Sequence, residues 1–469
     1  MLSRESESEA KPSKKSSTAL KIFYLFGLLF GFFFILFIYI QDSFKEPYIK
    51  REDSALPIHL TFFDLTPHIN TSTSPLSAKA CGAQVEDRPV IKVIHLNTYV
   101  IGSYIEHRFA EKQIKTIAII LRHEQATFSC VMCCDEKIVR LPAEYSIHSD
   151  HFNYDYGTAT ITCTIRGTCL TPTHVAITAS GVTENIMSFK PIRNIDFQTT
   201  FPYEFTVCIS VMYEYTNVLN LVQAMEMFRL LGAQRVAIYK TNCDERTQKV
   251  LDYYEKKGFA EIIPWTVTKY IEVSRGWNIN RSPGQLQYFG QIPALNDCVY
   301  RYMYQSHYVA LHDLDEFILP LKVKTWKELL PELETKYGSD IGFEFENNVF
   351  PFNAEGHADY GQDKWKNIQG SNILNYINRV PNLPNTFNNY KIIVNPRLVL
   401  KTTVHGLLDS VNGKSTVRVD NSIARIYHFK NFTYPADTKL VKDDHHWNYA
   451  NDLIPAVTKV LQACGFIEG

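Results

Sequence analysis

Hydrophobic periods in the middle of this chain alternate between strand and helix, and this alternation constrains the fold more than any other feature. Residues 205–212 form a largely apolar run, as expected of a strand buried on both faces, and a helical apolar stripe follows over 218–231. Further strands are predicted over 235–239 and 260–265, with an amphipathic helix between them. This order predicts right-handed βαβ units, and hence an α/β fold with a Rossmann-like, mostly parallel sheet.

The pattern is different before residue 200. Short runs between residues 88 and 195 alternate with period two, are rich in β-branched residues and contain no long helical stretch. They predict a small β-sandwich-like domain ahead of the α/β domain. We place the β-rich accessory domain at 86–198 and the α/β domain at 199–469.

The N-terminal region contains an apolar run over 22–40 without a charged side chain. At about 1.5 Å per residue it spans roughly 30 Å, the thickness of a hydrocarbon core. Cations are more frequent before the run than just after it, which places the bulk of the chain in the lumen. We therefore predict a cytoplasmic tail over 1–21, a single-pass transmembrane signal-anchor over 22–40 and a stem over 41–85. A cleaved signal peptide is the alternative.

Composition and cysteine usage restrict the compartment and the partners. Ten cysteines fit an oxidising lumen, where an even number permits full pairing. Cys130, Cys133 and Cys134 could instead form half of a zinc site, but no second pair stands at the spacing of a zinc finger. The formal net charge of -1 argues against nucleic acid as a partner. Sequons at Asn70 and Asn431 agree with a lumenal glycoprotein.

The sequence Asp313-Leu314-Asp315 follows 308–311, which is the fourth strand of the predicted sheet. Ligands of open α/β sheets lie at the carboxyl ends of strands. Two carboxylates two residues apart can share one hard cation such as Mn²⁺ or Mg²⁺, which prefers oxygen ligands and leaves room for phosphate. A polar turn after a strand has the same appearance, so the motif alone indicates a metal–nucleotide site without establishing it.

Two blocks around this motif resemble glycosyltransferase family 92, which was formerly a domain of unknown function and is numerous in nematodes. The first block is 290–301, GQIPALNDCVYR, and the second is 311–320, LHDLDEFILP. Residues 401–405 and 426–429 resemble later blocks of the family. The resemblance covers about residues 200–435, and the β-rich region is similar in general character to the accessory domain of plant members.

This resemblance implies a GT-A fold and an inverting transfer of a sugar from a nucleotide-sugar donor, with a divalent cation such as Mn²⁺. Galactose from UDP-galactose is the donor in the activities known for the family, so we expect a UDP-sugar donor and a glycan acceptor. With the predicted anchor, such an enzyme is expected to be a type II protein of the Golgi membrane, with its catalytic domain in the lumen.

Individual roles follow from the resemblance. Asp313 and Asp315 are expected to hold the cation, with His405 as a third metal or phosphate ligand and His428 as the second choice for that role. A surface or strand histidine is an equally good interpretation of His405. Besides Asp313, nucleotide contacts are predicted for three residues that follow the first two strands and for one loop arginine: Tyr213, Glu214, Asp244 and Arg275.

An inverting transfer also needs a base within hydrogen-bond reach of the acceptor hydroxyl. Glu344 and Glu346 are the candidates, because they come after the metal motif and residues i and i+2 of a strand share one face. Asp363 is a weaker candidate. Glu344 and Glu346 could equally be solvent-facing residues of an edge strand.

Two other functions fit parts of the pattern. A glycoside hydrolase also uses paired carboxylates, but about 5–9.5 Å apart on opposite sides of the scissile bond, which the close spacing of Asp313 and Asp315 disfavours. A non-catalytic lumenal glycan-binding protein built on the β-rich domain is the other alternative. Intact Asp313 and Asp315 argue against it.

Overall fold

The computed structural model describes residues 79–86, 88–167, 169–182, 188–354, 365–384 and 386–468. The predicted tail, the predicted transmembrane helix and most of the stem lie outside these residues, as does Asp363. Within the described ranges, no helix is both long enough and apolar enough to cross a membrane. All described residues belong to one compact unit.

The N-terminal part of the described chain is built from strands. They are β1 Lys79–Ala80, β2 Ala83–Gln84, β3 Ile91–Lys92, β4 Thr98–Glu106, β5 Gln113–Leu121, β6 Phe128–Cys134, β7 Lys137–Ile147, β8 Tyr156–Thr164, β9 His174–Ala179 and β10 Lys190–Arg193. β1 and β2 form a small hairpin. The others form one eight-stranded antiparallel sheet in the order β10-β9-β6-β7-β8-β5-β4-β3.

This sheet closes on itself. β10 pairs with β9 and also, in parallel, with β4, where Ile192 lies opposite Ser103. The prediction of a β-rich region is therefore confirmed, but the sandwich of two sheets is corrected to one closed sheet. A period-two pattern shows which face of each strand is buried, and it does not show whether the last strand returns to an early one. Closure removes sheet edges that would otherwise expose unpaired backbone groups.

The rest of the described chain alternates strands and helices. The strands are β11 Tyr203–Met212, β12 Arg235–Lys240, β13 Ala260–Pro264, β14 Ser306–His312, β15 Glu316–Pro320, β16 Gly342–Phe345, β17 Asn347–Pro351, β18 Asn378–Arg379, β19 Lys391–Val394, β20 Val399–Thr402, β21 Leu407–Ser410, β22 Thr416–Arg418, β23 Ala424–Lys430 and β24 Val441–Lys442. The α-helices are α1 Val218–Leu231, α2 Glu245–Lys256, α3 Gln291–Arg301, α4 Trp326–Tyr337 and α5 Ala450–Ala463. Short 3₁₀ helices cover Val267–Lys269, Tyr288–Gly290, Ile373–Asn375, Pro396–Leu398 and His445–Tyr449.

The main sheet has the order β13-β12-β11-β14-β19-β16-β22. Its first four strands are parallel to one another, and β19 runs antiparallel to both β14 and β16. The mixed α/β fold predicted from the alternation of periods is thus confirmed. The antiparallel β19 was not predicted, because its four residues are too few to show a period.

Local signals set the helix ends close to their predicted positions. The side chain of Asn217 accepts a hydrogen bond from the backbone N–H of Asn220 at 3.1 Å, and Gly232 ends α1 with a left-handed φ of 105°. α3 begins at Gln291, just after Gly290, whose φ is 75°. It ends at Arg301, and the next four residues form turns that lead into β14.

A second, three-stranded sheet has the order β15-β23-β17. Glu316 at the start of β15 lies opposite His428 on β23. β17 follows β16 after a single residue, Glu346, so the chain passes there from the main sheet into the second sheet. The end of β14 and the start of β15 therefore meet where the two sheets adjoin.

Helix α3 packs against the β-rich region and forms a shared core with it. This core includes Tyr104 and Ile117 from the closed sheet together with Tyr239 and Leu295 from the α/β part. Asp297, fully buried on α3, accepts hydrogen bonds from the hydroxyl groups of Tyr104 at 2.5 Å and Tyr239 at 2.6 Å. The β-rich region and the α/β part are therefore joined by buried polar contacts as well as by apolar packing.

Four disulfides link eight of the ten cysteines. Three of them lie in the β-rich region, and the fourth joins β11 to α3: Cys81–Cys133, Cys130–Cys163, Cys134–Cys169 and Cys208–Cys298. Cys130, Cys133 and Cys134 each have a different disulfide partner, which removes the zinc interpretation. Cys243 and Cys464 are thiols, so the full pairing that an even count permits does not occur.

Candidate functional site

Asp313 and Asp315 come directly after β14, at the point where the chain leaves the main sheet. β14 lies between β11 and β19, so these residues stand at the carboxyl end of the middle strand of the main sheet. Leu314 between them is buried, whereas 40% of the Asp313 side chain and 37% of the Asp315 side chain are exposed. Both carboxylates are therefore available to a ligand above the sheet.

A buried lysine faces Asp313. Lys391, the first residue of β19, is 2% exposed, and its Nζ lies 2.8 Å from Asp313 Oδ2 and 3.3 Å from Glu316 Oε2. Burial alone would raise the pKa of Asp313, but the Lys391 ammonium outweighs it and lowers that pKa to about 2. Burial would lower the pKa of Lys391, but Asp313 and Glu316 outweigh it and raise that pKa. Asp313 and Lys391 are thus both charged at neutral pH.

Glu316 and His428 connect the motif to the second sheet. Burial raises the pKa of Glu316 to about 7, although Lys391 opposes the shift. His428 Nδ1 lies 3.2 Å from Glu316 Oε1, and its Nε2 lies 3.3 Å from Asp315 Oδ2. Burial would lower the pKa of His428, but Glu316 and Asp315 raise it. His428 Nδ1 also lies 3.0 Å from the Asn347 amide nitrogen. Both ring nitrogens of His428 thus have protein partners, which makes it a poor metal ligand.

His405 lies in the turn between β20 and β21. Its Nδ1 is 2.9 Å from the carbonyl oxygen of Tyr390, which can only accept, so Nδ1 carries the proton and Nε2 keeps a lone pair. Burial, assisted by Lys391, lowers the pKa of His405 to about 4. The neutral ring suits a ligand better than His428 does. The ring of Phe387, which is 81% exposed, lies beside it with 5.9 Å between the centroids.

The predicted nucleotide contacts after β11 lie together. The Arg275 guanidinium stands over the Tyr213 ring at 5.2 Å, and its Nη2 is 3.1 Å from Glu214 Oε2. Glu214 adopts a left-handed φ of 47°, and its backbone N–H donates to Asn242 Oδ1 at 2.7 Å. The ends of β11 and β12 are held side by side in this way, with Arg275 and Glu214 exposed to solvent.

Asp244 has a structural partner instead. It is the N-cap of α2, and its Oδ1 accepts a hydrogen bond from the backbone N–H of Thr247 at 2.8 Å. A carboxylate at this end of a helix is also favoured by the helix dipole. Helix capping explains an aspartate at this position without a nucleotide. The predicted nucleotide contact of Asp244 therefore stays a prediction.

Glu344 and Glu346 do not share a strand face, because β16 ends at Phe345. The Glu344 carboxylate accepts a hydrogen bond from the Thr416 hydroxyl, and a Cβ on Gly406 would come within 3.1 Å of its Oε1. The Glu346 carboxylate accepts from the Asn382 amide. The two glutamates thus point to different partners, and Glu344 is the one beside the turn that carries His405.

A sequence model of glycosyltransferase family 92 matches residues 203–457, which is more than half of the chain. The chain belongs to glycosyltransferase family 92. The match begins with the first residue of β11 and ends within α5, and it contains Asp313, Asp315 and His405. The family resemblance of the two sequence blocks is confirmed.

Relatives of this family 92 chain are found in Caenorhabditis elegans. Two proteins described as glycosyltransferase family 92 proteins, F13G3.3 and C33H5.2, are 28% and 25% identical over 120 and 122 residues, which is 25% and 26% of this chain. The beta-1,4-galactosyltransferase galt-1 is 21% identical over 278 residues, 56% of this chain. The matches span 23%, 24% and 56% of the three relatives, respectively.

Among solved structures, two of S. aureus TarS residues 1-349 show a weak likeness to the family 92 chain. The complex with UDP has 11% identity and a TM-score of 0.27, and the other structure has 10% identity and a TM-score of 0.23. Each covers 55% of this chain and 65% of TarS 1-349. Scores this low establish neither a shared fold nor a shared ligand.

The family implies a divalent cation, and the side chains fit one that is shared with a nucleotide. In the described part of the chain, no three His, Cys, Asp or Glu side chains are grouped closely enough to hold a metal. Lys391 and His428 each contact one carboxylate oxygen of the Asp313–Asp315 motif. Mg²⁺ and similar ions often bind one or two carboxylates and take their other ligands from phosphate and water. The motif suits that arrangement and not a closed protein cage.

The sequence did not reveal two residues of this edge. Lys391 is the first residue of a short apolar run. In the sequence, a buried lysine at this position cannot be distinguished from one whose ammonium group reaches the solvent. Tyr288 lies near the motif: burial raises the pKa of its hydroxyl, and Asp313 and Asp315 raise it further. The position of Tyr288 depends on a left-handed backbone turn, which the spacing of residues in the sequence does not reveal.

A cavity of about 300 Å³ lies at the other end of the main sheet. Its lining residues include Glu204 and Gln234, which stand at the amino ends of β11 and β12. The motif lies at the carboxyl ends, so this cavity has no part in the candidate site.

Proposed function

We propose that this family 92 chain transfers galactose from UDP-galactose to a hydroxyl group of a glycan, with inversion at the anomeric carbon. The observation that carries the proposal is the position of Asp313 and Asp315, inside the family match, at the carboxyl edge of the parallel strands. The name of the relative galt-1, a beta-1,4-galactosyltransferase, supports galactose as the sugar. Family membership favours sugar transfer over the hydrolase alternative.

The donor would lie across the ends of β11, β12 and β14. Asp313 and Asp315 would hold Mn²⁺, which, when bound, neutralises charge on the leaving diphosphate. Lys391 keeps Asp313 ionised and fixes one of its oxygens. Tyr213 and Arg275 offer an aromatic face and a guanidinium on the β11 side, suited to the uracil ring and to phosphate or ribose oxygens.

On the acceptor side, a base must remove the hydroxyl proton as the acceptor oxygen bonds to the anomeric carbon and the bond to UDP breaks. Glu344 and Glu346 are our proposed bases, and Glu344 is favoured because it lies next to the His405 turn. Phe387 presents an exposed ring beside His405, suited to the apolar face of a sugar.

We further propose that residues 22–40 anchor the chain in the Golgi membrane as a type II protein with a lumenal catalytic domain. The unbroken apolar run and the cations before it support the anchor. Four disulfides suit an oxidising compartment. Asn431, in a sequon, is exposed and open to glycosylation.

The test is release of UDP by the purified full-length protein from UDP-galactose, UDP-glucose and UDP-N-acetylglucosamine, with Mn²⁺ or with a chelator. We expect the highest rate with UDP-galactose and Mn²⁺, and stimulation by a glycan mixture. Asp315→Asn keeps the shape of the side chain but removes its charge, and should lower the rate by about a hundredfold or more, as for loss of a group that stabilises transition-state charge.

The matched control is Asp340→Asn, at an exposed aspartate that pairs with Lys414 away from the motif. It should leave the rate unchanged. UDP release that is insensitive to both the chelator and Asp315→Asn would contradict the metal site. A clear preference for another UDP-sugar would contradict galactose while leaving the site intact.

A further inference from the structure

The segment from Glu272 to Gly290, here called the 272–290 segment, forms one wall of the candidate donor site. It connects β13 and the following 3₁₀ turn to α3. Phe289 stacks on Tyr213 with 4.5 Å between the ring centroids, and Arg275 covers the same ring from another position at 5.2 Å. The segment thus supplies the stacked ring and the guanidinium that lie against Tyr213 at the end of β11.

The C-terminal end of this wall has left-handed backbone conformations that must be stabilised by contacts with neighbouring residues. Tyr288, Phe289 and Gly290 are consecutive left-handed residues, with φ of 34°, 55° and 75°. Left-handed aromatic residues are strained and persist only where the surroundings fix them. The Phe289 carbonyl accepts from Trp265 Nε1 at 2.9 Å, and its N–H donates to the Ser274 carbonyl at 2.9 Å. The conformation near Tyr288 therefore depends on where Ser274 is held.

Ser274 is held by a tyrosine of the β-rich region. Tyr154 is completely buried, and its hydroxyl oxygen lies 2.8 Å from Ser274 Oγ, 3.0 Å from the Gly276 carbonyl and 3.0 Å from the Ser282 carbonyl. Ser274 Oγ lies 2.8 Å and 2.6 Å from the same two carbonyls. Each hydroxyl carries one proton: when the Ser274 hydroxyl donates to the Tyr154 oxygen, the Tyr154 hydroxyl donates to the Ser282 or the Gly276 carbonyl.

These contacts close the base of the loop that carries Arg275. The loop leaves at Ser274 and returns at Ser282, and the Tyr154 hydroxyl bridges its two ends. A second contact lies next to it, where the backbone N–H of Tyr156 donates to the Gln285 carbonyl at 2.9 Å. The β-rich region thus fixes both ends of the loop from behind, while Arg275 faces the end of β11.

We propose that Tyr154 is a positioning residue of the nucleotide site, through which the β-rich region shapes the wall that receives the nucleoside diphosphate. The inference rests on the proposed use of a UDP-sugar. Tyr154 does not touch the nucleotide; it fixes the loop that brings Arg275 over Tyr213. The β-rich region is then part of the donor site and more than a neighbouring accessory domain.

The test compares Tyr154→Phe with the wild-type full-length protein, using UDP as the probe in calorimetry and UDP-galactose in kinetics. Phenylalanine keeps the buried ring and removes only the hydroxyl that closes the loop. We expect the Kd for UDP and the KM for UDP-galactose to rise about tenfold, which corresponds to about 1.4 kcal/mol, while kcat changes little. The reason is that a loosened wall must be ordered on binding.

Tyr104→Phe is the matched control. It also removes a buried hydroxyl from the β-rich region, but that hydroxyl bonds to Asp297 inside the shared core and not to the 272–290 segment. It should lower the melting temperature and leave the Kd for UDP unchanged. If both variants weaken UDP binding in proportion to their loss of stability, Tyr154 has a merely structural role and the proposal fails.

Hydrogen exchange without nucleotide separates this inference from the proposed function. Tyr154→Phe should speed exchange of backbone amides in the 272–290 segment, whatever the ligand of the site is. Faster exchange with wild-type affinity for UDP would overturn the role in the donor site. Unchanged exchange would overturn the anchoring itself. A wild-type protein that does not bind UDP, with or without Mn²⁺, would overturn the proposed function and the inference that rests on it.

Discussion

At the scale of single residues, Lys391 sets the charge of the whole carboxyl edge. It is 2% exposed and placed between Asp313 and Glu316, which is equally buried. Without Lys391, the carboxyl groups of Asp313 and Glu316 would lack their shared cation, and Asp315 lies close by. A buried cation between carboxylates is also the arrangement in which removing one partner is most damaging, because the others are left uncompensated.

We expect Lys391→Met to lower the free energy of unfolding by about 3–5 kcal/mol, the usual result of removing one partner of a buried ion pair. Glu316→Gln in the same chain replaces one of the two acidic groups that Lys391 contacts and should restore part of that loss. Urea unfolding of the two single variants and the double variant measures the coupling. Lys414→Met, at an exposed lysine, is the control and should change little. Strictly additive losses would contradict the buried pair.

The site residues show what spacing can and cannot reveal. Asp313 and Asp315 could be proposed because a carboxylate pair after a buried strand is visible in one stretch of sequence, and the structure places them at the end of that strand. His405 stays a choice between two interpretations: its bond to the Tyr390 carbonyl leaves the Nε2 lone pair for a ligand, and the same bond suits a structural histidine. Lys391 was missed because it comes near the motif only through pairing of β19 with β14, a contact between distant parts of the chain.

At the scale of elements, the β7–β8 pair carries a titratable group in its packed interior. His148 directly follows β7, is 1% exposed, and its Nε2 lies 3.0 Å from Thr160 Oγ1 on β8. Burial, with Lys401, lowers its pKa from 6.5 to about 3. The folded protein therefore binds this proton less readily than the unfolded chain does.

It follows that acid weakens this part of the closed sheet. The contribution of neutral His148 is complete above pH 6.5 and is lost progressively as the pH falls from 6.5 toward 3. At pH 4.5 the loss is about 2–3 kcal/mol, at about 1.4 kcal/mol per pH unit.

His148→Gln keeps a polar group near Thr160 and cannot be protonated, so its melting temperature should fall less between pH 7 and 4.5. His123→Gln, at an exposed histidine, should follow the wild type. Parallel curves for all three proteins would contradict this prediction.

The bounds of strands and helices were predicted better than the pairing of the strands. The apolar runs before and after Asn217 gave β11 and α1 nearly in full, because burial on both faces and a helical stripe are local properties. The closed sheet was interpreted as a sandwich, because pairing of Ile192 with Ser103 leaves no trace in the composition of either strand. The end of β16 at Phe345 separated Glu344 from Glu346 for a similar reason.

At the scale of the whole molecule, the β-rich region and the α/β part share a core. Tyr104 and Tyr239 donate to the same buried carboxylate of Asp297. A Cβ on Gly102 would stand 2.2 Å from Asp297 Oδ1, so the closed sheet approaches α3 too closely for any larger residue there. Division of the chain near residue 198 would leave Asp297 with one hydroxyl partner fewer and its apolar neighbours exposed to water.

We therefore expect the fragment 199–469 to lack a cooperative thermal transition, whereas 79–469 should unfold in one sharp step. Near-ultraviolet circular dichroism and scanning calorimetry of both fragments, produced under oxidising conditions, measure this. The fragment 79–469 is the control for the absence of the N-terminal residues. A cooperative transition of 199–469 at a temperature close to that of 79–469 would show that the shared core is dispensable.

The closure of the β-rich sheet also affects the order in which its strands can pair during synthesis. β4 lies early in the chain, and its parallel partner β10 comes only after five other strands have been made. β3 pairs with the first part of β4, whereas Ser103 and Tyr104 find their partners only after Lys190–Arg193 leave the ribosome, since pairing between distant segments waits for both of them. Helix α3 leaves the ribosome later still. Synthesis from the N-terminus therefore allows the β-rich region to fold before the α/β part that packs against it.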